Sequence, residues 1–159
     1  MYCGEDLKRM ANSVCEILVT EAPLEAPKER GTFSAGAVLD FWGIVRTLED
    51  GLEIEGIEYE AHREMAEHQL KRIAEQAAEG FELELVLVHH RIGFIAAGEP
   101  SLFLRVCSPH RQEAFRASQR IVNELKKKVP IWKRPRFKSE VSLAGVVDAG
   151  RGSTLPFTV

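Results

Sequence analysis

Residues 101–130 have the sequence SLFLRVCSPHRQEAFRASQRIVNELKKKVP, in which a strand pattern gives way to a helix pattern. The apolar, β-branched run at 101–107 predicts a strand. Ser108 then suits a helix N-cap and Pro109 the first helical residue, and the final proline ends the helix after about Lys128. Helical spacing predicts a buried stripe made of Phe115, Ser118, Ile121, Val122, Leu125 and Val129.

The same two periodicities predict the other elements on either side of this unit. Apolar residues at helical spacing predict a second helix over residues 63–79, which ends near Gly80. The turn residues before residue 54 suggest that the strand at 54–60 forms a hairpin with the strand before it. The basic segment after the last helix is expected to be irregular. Alternating or β-branched runs predict strands at 14–20, 36–46, 54–60 and 81–90.

Strands, a helix, more strands and a helix in this order predict an α+β fold with a mostly antiparallel sheet and two main helices. A doubly wound fold is not expected, because no Gly-rich phosphate loop lies between a strand and a helix. The length of 159 residues suits a single domain. Its expected parts are an N-terminal strand and partly mobile loop at 1–35, the main α+β domain at 36–138, and a C-terminal tail at 139–159.

The cysteines and the apolar pattern indicate the cellular compartment. Cys3, Cys15 and Cys107 are odd in number and far apart, which favours reduced thiols in a cytosolic protein over a disulfide framework. No apolar run approaches the roughly 20 residues that a membrane-spanning helix needs. Glu5 and Asp6 precede any apolar stretch, which argues against a signal peptide.

Charge is distributed unevenly along the chain. Residues 105–138 contain eleven Lys and Arg against Glu113 and Glu124, a local charge of +9 in a chain whose net charge is −3. Such an asymmetry suggests a basic site for an anion. A solvated basic face, or a nucleic-acid-binding module that uses this surface, would give the same pattern. The negative total charge and the few aromatic residues in the window argue against nucleic acid.

Three basic groups could bind an anion. Arg46 ends a strand beside a turn, where an arginine is often only a solvated charge. His110 and Arg111 lie at the start of the last helix, where free N–H groups and the helix dipole already attract anions. The third group is Lys126-Lys127-Lys128 followed by Lys133-Arg134. The helix dipole accounts for lysines at a helix end, but not for Lys133, which lies beyond it.

No metal site or hydrolytic triad follows from the sequence. His89 and His90 are neighbours in a strand and face opposite sides, so they cannot both bind one metal ion without distortion. His62 and His68 lack metal-ligand spacing on a helix. These histidines are expected to lie in the core or on the surface.

Five motifs occur in order and with compatible spacing, in a match that spans about residues 14–134. The motifs are GAVLDFWGIVR at 36–46, Tyr59-Glu60-Ala61 with Met65-Ala66-Glu67, His90-Arg91-Ile92-Gly93, Ser108-Pro109-His110-Arg111, and Leu125-Lys126 with Val129-Pro130-Ile131-Trp132-Lys133. Together they resemble one known family, the large subunit of molybdopterin synthase.

The resemblance implies an α/β hammerhead fold and a homodimer at the centre of a heterotetramer. It implies sulfur transfer from the C-terminal thiocarboxylate of a small ubiquitin-like carrier, which ends in Gly-Gly, to cyclic pyranopterin monophosphate, with molybdopterin as the product. No metal or organic cofactor is expected. Carried over by motif, Lys126 and Lys133 are the catalytic lysines, and Arg46, His110 and Arg111 contact the substrate.

The sequence departs from the family pattern in a few places. Pro109 stands where the family usually has a small residue such as alanine. Pro135 stands where an acid commonly follows the second pair of basic residues in the family. The divergent tail after Phe137 lacks the family's late tryptophan. The position of the family's tail arginine is therefore open, and Arg136 and Arg151 are both candidates. A non-catalytic relative that only binds a carrier-like partner is therefore a further alternative.

The helix length adds a geometric expectation. Arg111 and Lys126 are 15 residues apart on one helix, or about 22 Å at about 1.5 Å per residue. A pterin monophosphate cannot span that distance. A twofold dimer could bring the helix start of one chain to the helix end of the other. The sequence thus predicts two equivalent sites per dimer, each built from both chains.

Overall fold

The fold consists of two sheets and two helices in a computed structural model that describes residues 13–28 and 34–139. The elements, in chain order, are β1 (Val14–Thr20), β2 (Ala37–Ile44), β3 (Leu48–Glu49), β4 (Leu52–Ala61), α1 (Arg63–Gly80), β5 (Leu85–Arg91), β6 (Gly93–Ala96), β7 (Pro100–Ser108), α2 (Arg111–Lys128) and β8 (Ile131–Phe137).

The first sheet has the strand order β1-β5-β7-β2. β1 and β5 are parallel, whereas the β5–β7 and β2–β7 pairs are antiparallel. Val86, Val88 and Leu104 of this sheet belong to the main hydrophobic core together with buried residues of α1 and α2. Leu85, Leu87 and Phe103 form a second cluster with Leu24, because alternate residues of a strand face opposite sides. The mostly antiparallel α+β prediction is confirmed.

The second sheet is centred on β4, which pairs antiparallel with β3, β6 and β8. Its own small core contains Ile54, Ile57, Tyr59 and Ile95. Gly56 is needed here, because a Cβ at this position would lie 2.3 Å from the carbonyl oxygen of Ile95. This close approach keeps β4 and β6 in contact.

The predicted hairpin between 36–46 and 54–60 is wrong. β2 pairs with β7, with Trp42 opposite Phe103. β4 instead forms its hairpin with the two-residue strand β3, across a turn in which Asp50 and Gly51 both have positive φ angles, 51° and 81°. A two-residue turn of this kind joins only the residues next to it, so the longer preceding strand is free to pair elsewhere.

The basic segment after α2 is a strand and not an irregular tail. β8 pairs with β4 over Ile54 to Ala61, with Lys133 opposite Tyr59. Pro135 is tolerated in this edge strand because the missing N–H of a proline can face away from the partner. The tail residues 140–159, including Arg151, lie outside the described residues, as do residues 1–12 with Cys3.

The start and the buried face of α2 also differ from the prediction. Ser108 ends β7, where it pairs with Ala37, and its hydroxyl accepts a hydrogen bond from the N–H of His110, which is the N-cap residue. Phe115 is 61% exposed. The buried face near the helix start consists of the smaller Ala114 and Ala117, because small side chains let a helix approach its neighbours closely.

Other boundaries agree with the prediction. β1 and α1 begin at the predicted residues, and α1 ends at Gly80. β5 begins at Leu85, later than the predicted residue 81, because a turn with a positive φ angle at Glu82 follows the helix. No helix in the described part of the chain is long and apolar enough to span a membrane.

Candidate functional site

The candidate site lies where β8 and the β3–β4 turn meet. The Nζ atom of Lys133 donates a hydrogen bond to Oε1 of Glu49 over 2.6 Å. The guanidinium of Arg46 donates to the other carboxylate oxygen of Glu49 over 3.2 Å. The sequence singled out Arg46 and Lys133 but not Glu49. The carboxylate of Glu49 brings these two cations together.

These three side chains differ in their exposure. Those of Lys133 and Glu49 are 15% and 12% exposed, whereas that of Arg46 is 76% exposed. Burial alone would raise the pKa of Glu49. The hydrogen bond and charge of Lys133, together with those of Arg46, outweigh this effect and hold the pKa below its ordinary value. The carboxylate is therefore ionised. The guanidinium of Arg46 is accessible to solvent, whereas the Lys133–Glu49 ion pair is mostly buried.

A buried polar group, Tyr59, lies beneath the cluster. Burial raises the pKa of the Tyr59 phenol, and the negative charge of Glu49 raises it further, against a side-chain hydrogen bond with Ser101 and the charge of Arg46. The Ser101 hydroxyl in turn donates to the carbonyl of Gly43 in β2. These contacts connect Tyr59 in the second sheet to Ser101 and Gly43 in the first sheet.

Part of the basic character of residues 105–138 is neutralised in the fold. Acids of β3 and β4 pair with the cations of β8 and with Lys138. Arg105 likewise pairs with Asp40. The sequence window is basic because its counter-charges lie elsewhere in the chain. The pairs of the second sheet are Lys133–Glu49, Arg134–Glu60, Arg136–Glu58 and Lys138–Glu53.

Lys126 occupies the last turn of α2, where it is partly buried. His110 and Arg111 lie exposed at the opposite end of the same helix. Among residues 13–28 and 34–139, neither Arg111 nor Lys126 forms an ion pair with an acid. The structure therefore unites Arg46 and Lys133 and leaves the two ends of α2 apart in a single chain.

Glu49 is the residue that the sequence reasoning missed. The sequence assigns it only to the turn before residue 54, because an acid before Asp50-Gly51 is ordinary turn composition. The available signal was its position: a residue directly before a two-residue turn pairs with the residue directly after it, which places Glu49 opposite Leu52. Its contact with Lys133 depends on β8, which was not predicted.

Three histidines outside the proposed site, His62, His89 and His90, make contacts within the fold. His62 caps α1 by accepting a hydrogen bond from the N–H of Met65, and His89 contacts Glu16. His90 is fully buried, and burial lowers its pKa to about 4. Its Nδ1–H must donate to the carbonyl of Arg91, since a carbonyl can only accept. No cluster of metal-binding side chains occurs among the described residues.

A family model described as "MoaE protein" matches residues 18–128, most of the chain. The chain belongs to the MoaE family. The molybdopterin synthase catalytic subunit of Thermoplasma volcanium is 36% identical over 126 residues, which cover 79% of this chain and 92% of that relative. The corresponding subunit of Pyrococcus abyssi is 42% identical over 101 residues, 64% of this chain and 68% of the relative.

Solved structures of the MoaE family and its assemblies have the same fold. The crystal structure of molybdopterin synthase from Staphylococcus aureus aligns with a TM-score of 0.70 at 32% identity, covering 79% of this chain and 92% of that one. A complex of subunits 1 and 2 of molybdopterin-converting factor from Helicobacter pylori aligns with a TM-score of 0.56 at 17% identity, covering 80% and 92%, which supports the fold alone. The expected family, hammerhead-type fold and enzyme class are confirmed.

The buried His90 predicts an acid-sensitive fold. Its pKa is about 4 in the folded chain and about 6.5 in the unfolded chain. The neutral ring therefore stabilises the fold fully above about pH 6.5, and this contribution is lost as the pH falls toward 4. At pH 5 the loss is about 2 kcal/mol, from about 1.4 kcal/mol per pKa unit.

The test is the free energy of unfolding by denaturant at pH 7 and pH 5. His90→Gln should be less stable than the wild type at pH 7, but should lose about 2 kcal/mol less between the two pH values. The control is His68→Gln, which changes an exposed histidine and should keep the wild-type difference. An unchanged difference in His90→Gln would show that His90 does not cause the acid sensitivity.

Proposed function

We propose that this chain is the catalytic subunit of a molybdopterin synthase. It transfers sulfur from the C-terminal thiocarboxylate of a small ubiquitin-like carrier to cyclic pyranopterin monophosphate and so forms the dithiolene of molybdopterin. The observation that carries the proposal is the pairing of Lys133 and Arg46 around Glu49, in a chain of the MoaE family.

The chemistry of the proposed reaction fits these side chains. The substrate phosphate needs fixed cations, and a guanidinium suits it because it can bind two oxygens at once. Arg46 is exposed enough to make that contact. Attack on an acyl group needs charge stabilisation at the developing oxyanion and a proton for the leaving group. We assign stabilisation to Lys133 and acid–base work to Lys126. Alternatively, the Lys126 amine attaches the carrier tail transiently: it forms an amide with the acyl carbon as the C–S bond breaks and hydrosulfide leaves, and water later cleaves that amide to free the carrier carboxylate.

The proposed partner is a carrier whose tail ends in Gly-Gly. Only glycine lets a backbone approach a narrow site this closely. The Helicobacter pylori neighbour is described as a two-subunit complex. For this chain, we propose a homodimer at the centre of a heterotetramer, with one carrier at each end. A cytosolic location and the absence of a metal or organic cofactor stay predictions.

The distance along α2 supports a site shared between two chains. The helix runs without interruption from Arg111 to Lys128, so Arg111 and Lys126 are about 22 Å apart at about 1.5 Å per residue. If both groups contact one small substrate, they must come from different chains. We propose that Arg46, Lys126 and Lys133 of one chain combine with His110 and Arg111 of the other.

Neither alternative function has a specific observation in its favour. A nucleic-acid-binding module needs an open basic surface, and β8 does not supply one, because its cations are paired with acids of β3 and β4. A salt titration with RNA or DNA would test this alternative, since phosphate contacts give a steep slope. A non-catalytic relative would bind a carrier without forming product, and a sulfur-transfer assay distinguishes it.

The first prediction of this proposal concerns Lys126. Lys126→Ala should lower dithiolene formation by at least about 100-fold, the usual contribution of a positioned proton-transfer group. The fold should remain intact, since a lysine at a helix end contributes only about 0.3–1 kcal/mol through the dipole. The measurement is product formation with a thiocarboxylated carrier. Lys127→Ala, an exposed neighbour, is the matched control and should stay active; similar activity of the two variants would refute the assignment.

The second prediction concerns the shared site. Lys126→Ala and Arg111→Ala should each be inactive alone; the two variants are mixed and allowed to exchange subunits. Random exchange makes half of the dimers mixed, and each mixed dimer has one intact site of two. Activity should therefore rise to about one quarter of the wild-type value. If exchange is demonstrated by mass spectrometry and activity does not return, each site belongs to a single chain.

A further inference from the structure

Glu49 lies between two cations of the proposed site and has no role in the reaction as described so far. One of its carboxylate oxygens accepts from Lys133 over 2.6 Å and the other accepts from Arg46 over 3.2 Å. A single side chain thus contacts one proposed catalytic group and one proposed substrate-binding group. Any change in Glu49 acts on both.

The Lys133–Glu49 pair is unlike the other ion pairs of the second sheet. Its side chains are 15% and 12% exposed, whereas those of the Lys138–Glu53 pair are 57% and 66% exposed. Exposed pairs hold their side chains weakly, because water and salt screen them. Breaking a buried pair leaves an uncompensated charge with little solvent around it. Lys133 is therefore held much more firmly than Lys138.

The backbone explains why Glu49 is well placed for this contact. β8, with the sequence IWKRPRF, contains no acid that could pair with Lys133 from its own strand. Glu49 is held by its pairing with Leu52 across the two-residue turn at Asp50-Gly51, where both φ angles are positive. Such a turn matches the twist of the strands that it joins. The carboxylate is thus presented to Lys133 from the end of a hairpin.

We propose that Glu49 is a positioning residue for the sulfur-transfer reaction. It holds the Lys133 ammonium and the Arg46 guanidinium at a fixed separation, and it lowers the charge of the three-residue cluster from +2 to +1. This inference rests on the proposed function for its kinetic consequence, but not for its structural one.

The charge of Glu49 and its contact with Lys133 affect the reaction in opposite directions. Its negative charge weakens the attraction of the cluster for an anionic substrate. Its contact with Lys133 keeps the ammonium where the developing charge needs it, and such positioning affects the transition state more than substrate binding. Glu49→Gln keeps the shape and removes the charge. It should lower kcat by about 10-fold or more without raising KM for the pterin.

The structural arm of the test is pulse acetylation of lysines, read by peptide mass spectrometry. It needs neither carrier nor pterin. In Glu49→Gln, Lys133 should react at least about fivefold faster than in the wild type, since the amine is released from a charge-assisted hydrogen bond. The matched control is Glu53→Gln, which removes the acid of the neighbouring Lys138 pair. It should leave the labelling of Lys133 unchanged.

The kinetic arm compares the same variants and Glu49→Asp in the sulfur-transfer assay, with melting curves to verify folding. Glu49→Asp keeps the charge on a shorter side chain and should recover part of kcat and part of the protection of Lys133. It also serves as the test variant if Glu49→Gln does not fold. Glu53→Gln should behave as the wild type.

Three results would overturn the proposal: unchanged labelling of Lys133 in Glu49→Gln, faster labelling with unchanged kcat, or a loss that appears only as a raised KM. If the wild type itself transfers no sulfur, the proposed function fails. The labelling arm would then still decide whether Glu49 holds Lys133, so the two failures can be distinguished.

Discussion

The antiparallel pairing of β8 with β4 is the interaction on which the site depends. It places Lys133 opposite Tyr59, and the ammonium of Lys133 donates a hydrogen bond to Glu49 of β3. Because β8 begins only a few residues after α2 ends, the same pairing fixes the end of that helix relative to the second sheet. Without it, Lys133 would be one exposed lysine in a basic tail.

Much of the fold followed from periodicity. The 3.6-residue pattern of α1 and the apolar runs of β1 and β7 are local signals, and the structure has these elements close to their predicted bounds. The hairpin partner of β4 was wrong because strand pairing is a long-range choice that local turn residues do not decide. β8 was missed because an edge strand with a proline and alternating cations has a weak hydrophobic pattern.

The sequence predicted only part of the candidate site. Arg46, Lys126 and Lys133 could be named because basic residues at strand and helix ends are recognisable and fit a family motif. Glu49 could not, since its role comes from a contact with a residue 84 positions away. The same reason explains the apparent basic window: linear charge counts do not include the acids of β4 that face β8. Charge asymmetry along a sequence is therefore a poor guide to surface potential in a paired sheet.

We propose that the tail of a carrier protein reaches the end of α2 and the start of β8. Zero-length carbodiimide cross-linking tests it directly, because it joins the C-terminal carboxylate of a Gly-Gly-ended carrier to the lysine beside it. If the tail reaches this site, a covalent link should form from the terminal glycine to Lys126 or Lys133, and this link should be lost when the two glycines are deleted. Links mainly to Lys71 or Lys138, or links that persist after the deletion, would contradict it.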